Sequence, residues 1–479
     1  MTNPLIYWFR QDLRVHDLPG LAAAAATGQP LVACYILDDE SPGEHLAGSA
    51  SKWWLHHSLQ ALAGELRKIG ITLTLRRGRA ADQLGRLIEE TGADAVYCTR
   101  QYEPWAGQLE LELHAALQAQ DVSFKRYPGS LLFEPDDIMN RSGQPFKVFT
   151  PFWRHCRNGA PPPPPQPARE AILSHSGTVP SESLDSWQLC PHNPNWAADW
   201  LTFWQPGSAG ANSKLRVFLA EGLADYSEGR NHPARETTSR LSPHLHFGEI
   251  SPRQLWQQAQ KLAARNPAQQ EQVDKFLSEM GWREFSYHLL YHFPAMAEEP
   301  FKPQFKHFPW QGDKAALTAW QQGQTGYPIV DAGMRELWHT GYMHNRIRMV
   351  VASFLTKHLL IHWRAGARWF WDTLVDADLA NNSCGWQWVA GSGADASPYF
   401  RIFNPIIQGD KFDAEGIYIR RWVPELAGLP DRYLNRPWEA PPEVLAAAGI
   451  TPGESYPLPM VDHKTARESA LAAYGSIRG

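Results

Sequence analysis

The stretch PLIYWFRQDLRVHDLPGLAAAAATGQPLVACYIL, residues 4–37, decides the fold of the front of the chain. It holds two short apolar, partly β-branched runs, PLIYWF at 4–9 and LVACYIL at 31–37, separated by an Ala-rich segment of helical character. Similar runs return as ITLTL at 71–75 and ADAVYCT at 93–99, with the amphipathic SLQALAGELRKIG among the segments between them. Strand and helix patterns alternating at this spacing predict a parallel, doubly wound, Rossmann-like α/β domain over residues 1–130. No G-x-G-x-x-G opens its first helix, so a dinucleotide site of the usual kind is not indicated.

Beyond this domain the pattern loosens. Residues 131–210 are expected to be a linker, with Pro161 to Pro165, Pro167 and a mixture of Ser, Gly and Asn of little periodicity. From about 211 helical periods dominate, as in SPRQLWQQAQKLAARN and YPIVDAGMRELWHTG, and strand runs nearly disappear. An all-helical domain is therefore expected over 211–479. No internal repeat is visible.

Composition narrows the class. A chain of 479 residues is too long for one ordinary core. Its 43% hydrophobic and 20% charged content is that of a soluble globular protein. The net charge of −5 argues against a uniformly basic nucleic-acid coat but leaves room for a local basic face. Tryptophan is the anomaly: 21 Trp exceed both 15 Tyr and 20 Phe. Core packing accounts for most of them, and stacking or electron transfer would use the rest. Cys34, Cys98, Cys156, Cys190 and Cys384 lie scattered without metal-ligand spacing, as expected of reduced thiols in a cytoplasmic protein with no metal. The charged N-terminus and the lack of an apolar run near 18 residues predict neither secretion nor a membrane span.

Polar residues gather between Gly341 and Pro405, densest in GYMHNRIRMV and WDTLVDADLANNSCGWQWVAGSGADASPYFRIFNP. Asn345, Arg346, Arg348, Asp376, Asp378, Asn381 and Asn382 are costly to bury unless something occupies them, so a ligand pocket is expected. On a helix Asn345, Arg346 and Met349 fall within an arc of about 100°, with Arg348 on the other flank of Asn345. A buried Arg348 needs a counter-charge, from Asp376 or Asp378. Trp386 and Trp388, two apart, point roughly oppositely. Two other segments carry chemistry. In ETTSRLSPHLHFGEIS, residues 236–251, Thr238, Ser239 and Ser242 suit either phosphates at a helix start or a helix cap. In KFLSEMGWREFSYHLLYHFP, residues 275–294, Glu279 and Trp282 share a helix face, and Met280 and Phe285 favour its burial.

Taken together these segments resemble the DNA photolyase and cryptochrome family, most nearly its microbial class I cyclobutane-pyrimidine-dimer photolyases. WFRQDLR at 8–14, KVFTPFW at 147–153, TSRLSP, WREF, YPIVDAGMRELWHTGYMHNRIRM, DADLANN, GWQW and YFRIFNP occur in the family's order over nearly the whole chain. The resemblance implies an antenna domain, a helical domain holding FAD, and light-driven repair of UV-damaged DNA, double- or single-stranded, by a monomer. By motif, Tyr226, Thr238, Ser239, Leu241 and Ser242 would line the flavin's phosphates and ribitol. Arg348 would pair with Asp376 beside its ring, Asp378 would meet its polar edge and Asn382 its reactive nitrogen. Arg230, Glu279, Trp282, Asn345, Arg346, Met349 and Trp388 match the lesion pocket. Arg401 and Lys411 are further candidates for phosphate contacts, and Trp386, Trp363 and Trp310 match an electron relay.

The alternatives differ at named positions. A (6-4) photolyase would carry histidines at 345 and 349, and an iron-sulfur member would cluster its cysteines. A cryptochrome photoreceptor or a single-strand-specific relative shares the fold and flavin, but the retained lesion-pocket residues favour repair. Phe276, near the adenine and pocket rim, stands where relatives often carry Trp. TRQYEPWAGQLE keeps the YEP core and lacks the Asn-Glu pair with which some relatives hold folate, so the resemblance leaves three alternatives for a second, antenna chromophore: methenyltetrahydrofolate, a deazaflavin, or an empty site.

Overall fold

The computed structural model describes residues 2–396 and 400–477; Tyr399 of the YFRIFNP motif lies outside them. Five strands, β1 (Leu5–Phe9), β2 (Leu31–Leu37), β3 (Leu73–Arg77), β4 (Ala95–Thr99) and β5 (Ser123–Tyr127), form one parallel sheet of order β3-β2-β1-β4-β5. Helices α1 (Pro19–Ala26), α2 (Ser49–Lys68), α3 (Ala80–Thr91) and α4 (Pro104–Gln118) supply the crossovers that parallel pairing requires. The pleat sorts the side chains. Ile6, Trp8, Val32, Cys34, Ile36, Val96 and Cys98 share a core with Leu84 and Leu87 of α3 and Leu109 and Leu113 of α4. Four strands match the expected runs; β5 does not. Its sequence SFKRY is mostly exposed at the sheet edge, so burial imposes no apolar pattern on it.

The chain divides into two compact units, Met1–Ala224 with Ser239–Pro294 and Asp378–Ala380, and Asp225–Thr238 with Ala295–Ala377 and Asn381–Gly479. In the first, the stretch expected as a linker contains a ten-residue helix, α5 (Phe149–Asn158), followed by the irregular proline segment. A Cβ at Gly281 would fall 2.5 Å from Trp153 Cε3, so glycine lets α5 pack tightly on the Gln270–His292 helix. The second unit is helical, around a core that includes Trp320, Val351, Phe354, Trp363, Phe370 and Trp386. The five cysteines are free thiols. Among the described residues no helix is long and apolar enough to cross a membrane, and no His, Cys, Asp and Glu cluster would hold a metal.

Candidate functional site

In the second unit the site is built on the Asn345–Ser353 helix. His344 caps it, accepting the Arg346 backbone N–H at its Nδ1, 3.2 Å away. Asn345 is therefore the first helical residue and is exposed; Met349, one turn on, is half-buried against the core. Arg348 turns inward. Its Nη2 donates to both oxygens of Asp376, at 2.8 and 3.0 Å, and its Nε to the Met343 carbonyl at 2.7 Å. Burial alone would lower the Arg348 pKa, and the facing Asp376 carboxylate with Tyr342 more than offsets this, leaving it raised. Of the two aspartates open in the sequence reading, Asp376 is the partner.

Arg346 has different company. Its Nη2 donates to Asn231 Oδ1 at 2.5 Å, and its guanidinium lies 4.4 Å from the Phe412 ring centroid. Its pKa is lowered, first by burial and then by the neighbouring Arg230 and Arg401. Arg230 itself sits 5.8 Å from the ring of Tyr226, the residue that opens the short Tyr226–Gly229 helix. Lys411 approaches Phe412 at 5.2 Å, and Arg401 approaches Phe403 at 5.7 Å. Among the described residues Arg346, Arg401 and Lys411 enter no ion pair.

The tryptophans separate as their spacing predicts. Trp386 on the Leu379–Ala390 helix is 2% exposed, whereas Trp388 is half-buried. Trp386 meets Phe370 edge-on at 5.0 Å, and a Cβ on Gly366 would fall 2.0 Å from its ring, so that glycine is required. Trp363 belongs to the same core cluster, and Trp310 packs against its edge. Between these two stands His362, 5.7 Å from Trp363 and 5.1 Å from Trp310, its pKa pushed down to about 4 by burial and then by Arg364 and Arg368. No pattern in the sequence marked His362. Asn382 donates to the Ala367 carbonyl at 3.0 Å, while its Oδ1 accepts from no donor among the described residues. Thr237 Oγ1, next to the expected Thr238, is buried without a partner and closes against Gly229, where a Cβ would clash at 2.7 Å.

In the first unit the short Ser242–His246 helix begins without a side-chain cap; Ser239 Oγ accepts the Leu241 N–H at 3.4 Å, and Arg240 takes φ +49°. The cap reading of this segment therefore fails. On the Gln270–His292 helix, Phe276 is buried against Phe218 at 4.8 Å. Glu279, half-buried, pairs with Lys275 at 3.0 Å. Trp282 presents one face to Phe149, with centroids 3.8 Å apart and planes 9° from parallel. Asp378 accepts a short hydrogen bond from Tyr287 Oη, and His246 Nδ1 lies 3.4 Å from the same carboxylate oxygen. Burial would raise the Asp378 pKa, but His246, Arg283 and Tyr287 hold it at about 2. The sequence signal for these partners is that Tyr287 and Arg283 are polar residues on a helix with many buried positions.

The chain that carries an inward arginine paired with an aspartate, an outward arginine without an ion pair, an amide with an unused oxygen and a set of packed tryptophans is matched by two family models. The FAD binding domain of DNA photolyase matches residues 276–476, and DNA photolyase matches residues 5–168. A curated relative, the deoxyribodipyrimidine photo-lyase of Agrobacterium fabrum, is 49% identical over 100% of this chain and 98% of its own. The chain belongs to the DNA photolyase and cryptochrome family. Cryptochrome-1 of Arabidopsis thaliana is 39% identical over 95% of this chain and 68% of its own. Among solved structures, a bacterial class III photolyase from Agrobacterium tumefaciens superposes with a TM-score of 0.96 at 47% identity, covering 100% of this chain and 98% of that one. The α/β domain followed by a helical FAD-binding domain is thus the family fold. The class I assignment expected from the motifs finds no support in these likenesses.

Proposed function

We propose that this photolyase-family chain repairs cyclobutane pyrimidine dimers in UV-damaged DNA by light-driven electron transfer, with FAD as its cofactor. The observation that carries the reading is the contrast on one helix. Arg348 is neutralised by Asp376, as a charge sequestered beside a bound cofactor should be. Arg346, two residues earlier, keeps its charge without an ion pair, as a phosphate contact should.

The residues fit FAD. The free Oδ1 of Asn382 and the unpartnered Thr237 hydroxyl are unused hydrogen-bonding groups, and Arg348 with Asp376 forms a pair that adds no net charge. Bound FAD supplies light absorption and the electron, and the chain supplies position and electrostatics. In this reading Tyr226, Thr238, Ser239, Leu241, Ser242, Phe276, Arg348, Asp376, Asp378 and Asn382 hold the cofactor. Trp282 and Trp388 wall a flipped-out dimer, Glu279 and Asn345 hydrogen-bond its polar edges, and Met349 packs beside it. Arg230, Arg346 and Arg401 fix the DNA backbone. Trp310, Trp363 and Trp386 carry electrons inward.

On class, the likeness to a class III photolyase supports placing this chain there. The reading takes residues 1–130 as an antenna domain for methenyltetrahydrofolate or a deazaflavin, 131–210 as a linker, and 211–479 as the FAD and DNA domain. It takes the chain as a monomer in the cytoplasm. The test is to purify the protein, record its absorption spectrum, and illuminate the reduced protein with an oligonucleotide carrying a thymine dimer. Flavin bands and light-dependent restoration of the thymines are expected; a dimer left intact under illumination overturns repair in favour of a photoreceptor.

A further inference from the structure

Arg346 is held without a carboxylate. Its Nη2 donates to the neutral amide oxygen of Asn231 at 2.5 Å, and its guanidinium lies 4.4 Å from the Phe412 centroid. The same ring serves Lys411 at 5.2 Å. His232 and the Phe412 carbonyl are 3.2 Å apart, tying the residue after Asn231 to the residue that carries the ring. Glu228, an acidic side chain that acts on Arg346, has its Oε1 3.2 Å from His232 Nε2. Arg230 and Arg401 act on Arg346 as like charges. A guanidinium crowded by like charges is normally quieted by a nearby carboxylate. Here an amide dipole and a π face fix its direction and leave its charge uncancelled.

We infer that Asn231 and Phe412 are positioning residues that hold Arg346 for a DNA phosphate while sparing its charge; the inference rests on the proposed reading of Arg346 as a backbone contact. A phosphate takes up a guanidinium best in a fixed, planar approach, so orientation contributes to affinity. Charge contributes separately, through the counterions released when a phosphate is neutralised. A carboxylate at position 231 would keep the orientation and abolish the second contribution.

The experiment measures equilibrium binding of the full chain to a duplex carrying a thymine dimer across a range of salt concentrations. It compares wild type with Arg346→Gln, Asn231→Ala, Asn231→Asp and Phe412→Leu. Arg346→Gln should weaken binding about tenfold and flatten the log–log salt slope by about 0.9, one phosphate's share. Asn231→Ala should weaken binding about threefold with the slope unchanged, because orientation is lost and charge is kept. Asn231→Asp should match Arg346→Gln in both affinity and slope. A purely structural asparagine gives the opposite order, since aspartate accepts from a guanidinium more strongly than an amide does. Wild-type affinity and slope in Asn231→Asp, beside an impaired Arg346→Gln, overturns the inference alone. An unimpaired Arg346→Gln overturns both it and the phosphate assignment beneath it. Phe412→Leu should behave as Asn231→Ala; since Phe412 is buried, a failure of that variant to fold leaves the half-buried Asn231 pair to decide.

Discussion

Arg346 and Arg348 stand two residues apart at the start of one helix and take opposite partners: Asn231 through a neutral hydrogen bond, and Asp376 through a two-oxygen ion pair. The helix thereby presents one live charge and one cancelled charge on different flanks. The proposed function uses both, the live charge for a DNA phosphate and the cancelled one beside the cofactor.

Removing the negative half of the inner pair should be the costlier change. Asp376→Asn leaves the Arg348 guanidinium facing an amide that accepts less well and carries no charge. A loss of about 2 kcal/mol is expected, below the range for fully buried pairs because the Arg348 side chain is 24% exposed. Urea denaturation measures it, and the flavin absorbance per mole of purified chain should fall in parallel. Unchanged stability together with full flavin content would remove Asp376 from both roles.

Asp378 gives a prediction with pH. Its folded-state pKa of about 2 lies below the ordinary 3.8, so it stabilises the fold above about pH 4 and loses that contribution as pH falls towards 2. The gap is worth about 2 kcal/mol. Tyr287→Phe deletes the hydroxyl donor, so the Asp378 pKa should rise, the fold should lose stability at neutral pH, and the further loss on going to low pH should be smaller than in wild type. Unfolding midpoints between pH 3 and 7 test this; identical profiles would mean that His246 and Arg283 suffice.

For the tryptophan series, Trp386→Phe should stop photoreduction of oxidised flavin and spare repair by chemically reduced protein. His362, held neutral near physiological pH by its depressed pKa, adds no positive charge between Trp363 and Trp310 that would oppose an oxidised indole. Flash photolysis reads the first outcome and the dimer assay the second. Normal photoreduction in Trp386→Phe would end the relay assignment.

Glu279→Ala should lower the yield of dimer splitting severalfold while altering DNA affinity less. Its pairing with Lys275 in the structure is a partly exposed contact, worth about 0.3–0.5 kcal/mol, which a ligand can replace. If affinity falls and yield holds, Glu279 belongs to binding.

What the sequence determined by itself follows from periodicity. Runs such as LVACYIL and ADAVYCT are buried on both faces of a parallel sheet, so their composition announces them. Motif order likewise carried the family, because TSRLSP, DADLANN and GWQW are local strings. Tertiary structure decided whatever depends on contact at long separation or on one side being covered. Edge strand β5 carries no apolar pattern because its side chains face solvent. Helix α5 precedes a proline-rich segment that masks its periodicity, and although KVFTPFW is a local string, the stacking of its Phe149 on Trp282 is a contact 133 residues apart that only the fold creates. Choosing Asp376 for Arg348 and Tyr287 for Asp378 required the fold, since two carboxylates two residues apart are alike in a sequence and opposite in their surroundings. Asn231, 115 residues from Arg346, carries no local signal, and it became legible only when chain folding placed an amide where an acid would have cancelled the charge.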